Sequence, residues 1–92
     1  MGTQGDTPAA DDDGIDLAVG TALRVLRARR QISQRELARR TGLAKNTIYR
    51  IEHAERSIDV RQLFKIAEAL DVTPTELLTS AVEELALEDR ED

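Results

Sequence analysis

Between Gln31 and Glu52 the chain reads QISQRELARRTGLAKNTIYRIE, two short helical patterns that meet at Thr41 and Gly42. Ser33 stands three residues before Glu36, a capping box that fixes a helix start. That helix runs to about Arg40, with Ile32, Leu37 and Ala38 facing inward. Gly42 supplies the positive φ that a tight turn between helices needs. So few linking residues force the next helix, about Ala44 to His53, to cross the first steeply. Ile48 and Ile51 face inward there, helped by Leu43, and Lys45, Asn46, Tyr49 and Arg50 share one broad polar stripe.

The same signals place three more helices. An early one begins near Ile15 or Asp16, with Leu17, Val19, Leu23, Leu26 and Ala22 as its apolar positions. Asp59 caps a fourth, whose apolar positions are Val60, Leu63, Phe64, Ile66, Ala67 and Leu70; Phe64 is expected in the core. Thr73, Pro74 and Glu76 supply cap, first-turn proline and N3 acid for a fifth, where Leu77 and Leu78 close the core. Residues 1–14 are polar and rich in Gly, Pro and Asp, and read as a disordered acidic arm. The folded domain is expected over residues 15–79. Residues 80–92 form an acidic tail that extends the fifth helix, frays or packs on a partner through Val82, Leu85 and Leu87.

Charge is segregated along the chain, and the net value of -5 hides it. Residues 1–16 carry five acids and no base, and residues 80–92 carry six acids against one Arg. Residues 17–79 carry twelve Lys and Arg against seven acids, +5, so the centre is the part suited to meet phosphate. The chain has no Cys and one His, which excludes disulfides, thiolate sites and histidine clusters. Asp11–Asp13 on a flexible arm offer no preformed cation geometry. No apolar run is long enough to cross a bilayer, and no apolar leader segment opens the chain. One Phe and one Tyr cannot build a stacking platform for single strands. Ser, His and acids are present but not as a nucleophile, base and orienter, so an enzyme is not expected. No cofactor is expected either.

A steeply crossed helix pair whose second member carries Lys45, Asn46, Tyr49 and Arg50 suits the major groove of double-stranded DNA. Lys and Arg donate to guanine O6 and N7, and Asn pairs with adenine, each good bidentate contact discriminating by ~1–3 kcal/mol.

The stretch LRVLRARRQISQRELARRTGLAKNTIYRIEHAERSIDVRQLFKIAEALDVTPTELLT, residues 23–79, resembles the phage-repressor-type helix-turn-helix domain, the Cro/C1 or Xre type. The resemblance rests on SQRELA, the glycine turn, NTIYRIE and LFKIAEALDVTPTELL together. It implies an all-α, compact five-helix bundle, lambda-repressor-like, that binds double-stranded operator DNA as a homodimer and regulates transcription.

The resemblance also implies roles. Lys45, Asn46 and Arg50, with Tyr49 as a further candidate, stand where family members read base edges. Gln34 stands where a phosphate is gripped and a reading side chain is braced. Arg35 and Thr47, and Arg56 and Arg61 around the next loop, are candidates for the phosphate backbone. Each phosphate neutralised adds roughly -0.9 to the log–log salt slope. Arg27 and Glu52 match a structural ion pair rather than readers. Ala44 departs from the usual Ser or Thr and cannot cap the third helix through its side chain.

The leading expectation is a cytoplasmic, nucleoid-associated transcriptional regulator, a repressor, of prokaryotic or phage origin. The alternative is an antitoxin that binds its own promoter and holds a toxin through the acidic tail. A protein-interaction adaptor is the third class.

Overall fold

The computed structural model describes residues 11–90, with side chains through residue 87. Five helices follow in order: α1 (Asp12–Arg30), α2 (Gln34–Thr41), α3 (Lys45–Glu52), α4 (Val60–Ala69) and α5 (Pro74–Arg90). α1 packs on α5 and α3, α2 on α3 and α4, and α4 on α5. The architecture is the five-helix bundle expected from the sequence.

Local chemistry sets the helix ends. α1 starts three or four residues earlier than expected, because the Asp11 carboxylate accepts the Gly14 N–H at 2.8 Å. Asp12 and Asp13 then occupy the first turn, where the helix dipole favours acids. Most of the expected arm, residues 1–10, lies outside the described residues.

The Ser33 hydroxyl accepts the Glu36 N–H at 3.0 Å, but the Glu36 carboxylate does not return to complete the box. Arg39 and Arg40 hold it instead, at 2.5–2.9 Å. Complete reciprocal boxes form at Asp59 with Gln62 and at Thr73 with Glu76. Gly42 closes α2 with φ 77° and an N–H donated to the Ala38 carbonyl at 2.8 Å. Arg30 and Arg40 donate to the Asp71 and Ala69 carbonyls at the end of α4, which assigns both side chains a structural task.

Leu23, Leu37, Ile48, Ile51, Ile66, Leu70 and Leu77 are fully buried and form the centre of the core. Each such side chain contributes roughly 1.5–3 kcal/mol. A second cluster of small residues, Ala18, Val19, Ala22 and Ala81, lets α1 and α5 approach closely, with Leu85 packed against it. α5 therefore runs unbroken past Ser80 to Arg90, over most of the residues expected to extend the helix, fray or pack on a partner.

Four apolar residues correct the expected core. Phe64 is 57% exposed, Val60 67%, Leu78 46% and Leu17 42%. α4 turns Leu63, Ile66, Ala67 and Leu70 inward, and at about 100° per residue Phe64 and Val60 fall beyond that stripe. α5 likewise buries Leu77, which rotates Leu78 outward.

Candidate nucleic-acid interface

The turn between α2 and α3 comprises Gly42, Leu43 and Ala44. The Thr41 hydroxyl donates to the Leu37 carbonyl at 2.8 Å and accepts the Leu43 N–H at 3.2 Å, so one side chain stitches the end of α2 to the turn. Ala44 makes no side-chain cap to α3. Its carbonyl accepts from Thr47 and Ile48, which leaves the first N–H groups of α3 open to an incoming acceptor.

Lys45 and Asn46 are exposed in the first turn of α3, and Tyr49 and Arg50 are exposed one turn later. Gln34, half-buried at the start of α2, lines one shallow depression with Lys45, Asn46 and Tyr49. Both helix starts therefore meet at one place, where a positive charge, two amides and an aromatic ring converge. Arg35 is exposed beside Gln34, and Thr47 is half-buried. Arg56 is exposed in the loop after α3 and Arg61 on the first turn of α4; neither lines the depression.

Behind this surface, a polar triad fixes the helices. Glu52 is fully buried at the end of α3. Arg27 of α1 grips it with two bonds, Nε to Oε2 at 2.7 Å and Nη2 to Oε1 at 3.0 Å. A third Arg27 bond reaches the Ile32 carbonyl at 3.0 Å. Gln34 Nε2 donates to Glu52 Oε1 at 2.9 Å. α1, α2 and α3 thus share one carboxylate, and Gln34 joins it to the depression that it also lines. No buried side-chain nitrogen or oxygen lacks a partner among the described residues.

Two features escaped the sequence reading. Gly20 of α1 is buried beneath the last turn of α3. His53 stacks on Tyr49, with ring centroids 3.9 Å apart and planes 21° from parallel. The spacing of four residues from Tyr49 to His53 was the available signal. On the outer face of α2, Arg39 and Arg40 hold the Glu36 carboxyl well below its usual range, at about 2. Glu36 in turn holds the Arg39 guanidinium more firmly protonated.

Residues 23–77 match the family described as helix-turn-helix. Solved structures show the same fold. A clp gene regulator, ClgR, from Corynebacterium glutamicum is 25% identical, with a TM-score of 0.79 over 82% of this chain and 80% of that one. A restriction-modification controller protein, C.AhdI, from Aeromonas hydrophila is 34% identical, with a TM-score of 0.66 over 67% of this chain and 94% of that one. A transcriptional regulator of the same family from Vibrio cholerae is 26% identical, with a TM-score of 0.73 over 84% of this chain and 42% of that one. No curated protein sequence is significantly similar to this chain. Among the described residues no group of His, Cys, Asp or Glu has the arrangement of a metal site.

Proposed function

This chain belongs to the helix-turn-helix regulators of the Cro/C1 (Xre) type, and we propose that it is a sequence-specific repressor that inserts α3 into the major groove of a double-stranded operator. The observation that carries this reading is the convergence of Gln34, Lys45, Asn46 and Tyr49 at the paired starts of α2 and α3. Lys45, Asn46, Tyr49 and Arg50 read base edges, and Gln34, Arg35, Thr47, Arg56 and Arg61 hold the phosphate backbone. Bound across a promoter, such a protein denies polymerase its site. It works on the nucleoid in the cytoplasm. No helix among the described residues is long and apolar enough to cross a membrane.

The functional unit is a homodimer. One module covers too little DNA for an operator, and two modules on half-sites one helical turn apart supply the rest. The exposed Val60 and Phe64 of α4 and Leu78 and Val82 of α5 support this. Spacings of four residues put each pair on one helix face, and Phe64 shares a depression with Pro74, one turn before Leu78. Lys65 lies beside the apolar pair on α4, and Glu83 lies beside the pair on α5. A two-fold packing that sets α4 of one copy against α5 of the other brings these opposite charges together.

An antitoxin is the second reading, favoured by Leu87, half-exposed among the acids near the end of α5. Selection from random duplexes at near-physiological salt tests the leading reading: one enriched pseudopalindrome supports it, and no enrichment over bulk DNA removes it. Co-purification of a stoichiometric partner from the native cell that occupies the end of α5 would favour the antitoxin.

A further inference from the structure

Tyr49 is the chain's one tyrosine and His53 its one histidine. They lie four residues apart on α3, stacked at 3.9 Å. His53 Nδ1 lies 2.8 Å from the Tyr49 carbonyl; a carbonyl oxygen only accepts, so Nδ1 carries the proton and donates. The imidazole is therefore anchored to the helix backbone and laid flat against the phenol ring. Tyr49 is nevertheless 42% exposed and forms a wall of the depression that Gln34, Lys45 and Asn46 complete. Three walls of that depression are hydrogen-bonding groups, and the fourth is an aromatic ring already held in position.

Given the major-groove docking proposed above, the geometry points to Tyr49 as the contact for a thymine 5-methyl group, with His53 as the positioning residue that holds its ring. The 5-methyl is the one apolar group on the major-groove edges of the bases, and a side-chain ring is a fitting surface for it. Donors and acceptors on neighbouring bases fall to Lys45, Asn46 and Gln34. A ring fixed by stacking before DNA arrives loses less rotational freedom on binding than a free one.

The test replaces each thymine of the selected operator, one at a time, by deoxyuridine, which removes only the methyl. One position per half-site should lose roughly fourfold in affinity, the value of burying one methyl-sized group. Tyr49→Phe should keep that loss, which separates methyl contact from any hydrogen bond of the phenol. Tyr49→Ala should abolish it. His53→Ala should shrink it and His53→Phe restore it, with thermal melts confirming that each variant folds. In the free protein, the Tyr49 ring protons should lose their ring-current shift in His53→Ala. A methyl effect that persists in Tyr49→Ala, one unchanged in His53→Ala, or none at any position would overturn the assignment while leaving operator binding intact. Failure to select any operator would instead overturn the major-groove reading and this assignment with it.

Discussion

A Cβ built on Gly20 would lie 2.6 Å from the Glu52 carbonyl oxygen and 2.8 Å from that of Ile51. Both atoms belong to backbone, so neither can swing away. α1 and the last turn of α3 touch at this point, and the contact limits how closely α1 can carry a side chain there. Gly20→Ala should lose about 1–3 kcal/mol through overpacking, despite the ~1 kcal/mol that alanine gains in helix propensity. Urea denaturation measures this. Stability equal to or above wild type would mean that the two helices separate without penalty.

Arg27 supplies two of the three side-chain bonds that satisfy the buried Glu52 carboxylate. Arg27→Ala leaves a charge without its counterion and should remove about 3–5 kcal/mol, much of the stability of a domain this small. Chemical denaturation monitored by circular dichroism checks it. A loss below about 1 kcal/mol would place the pair among weak surface contacts.

Glu36 titrates near 2 rather than 4.5, first through its hydrogen bond to Arg39 and then through that to Arg40. Its folded pKa lies below its unfolded one. The contribution is therefore complete above about 4.5 and disappears as pH falls from there toward about 2. A carboxyl titration followed by NMR should give a midpoint near 2, rising toward the ordinary value in high salt because the cluster is solvated. Glu36→Gln should flatten the acid limb of the stability profile in that window. A midpoint near 4.5 at low salt would contradict the clamp.

Phe64 and Leu78 are exposed apolar residues on the face proposed for the homodimer. Both are exposed, so Phe64→Ser with Leu78→Ser should shift monomer stability only slightly, within about 0.5 kcal/mol each. Analytical ultracentrifugation should show a dimeric parent and a monomeric variant, and operator affinity should fall with dimerisation. A parent that stays monomeric while saturating its operator would remove the homodimer.

Much of this fold was legible because helix ends are chemical events within four residues. Ser33, Gly42, Asp59 and Thr73 mark their helices by what they bond nearby. Asp11 obeys the same rule, yet DDDG reads equally as solvated chain, and only the Gly14 contact decides. Phe64 and Val60 were misread because periodicity identifies apolar residues without saying how wide a stripe the neighbouring helices cover. Gly20 gave no signal in the sequence, since its use is a contact with a residue thirty-two positions later. The exposed polar stripe of Lys45, Asn46, Tyr49 and Arg50 was legible from helical spacing. The brace of Arg27, Glu52 and Gln34 was not, because it joins three helices; the Arg27–Glu52 pair came from family resemblance and the Gln34 bond only from the structure.

Repeating the random-duplex selection with Lys45→Ala, Asn46→Ala and Arg50→Ala tests the major-groove docking most directly. Each folded variant should relax preference at its own one or two base pairs per half-site, by ~1–3 kcal/mol for a bidentate contact, while the rest of the pseudopalindrome persists. Three folded variants that select the wild-type sequence with wild-type affinity would contradict the docking of α3.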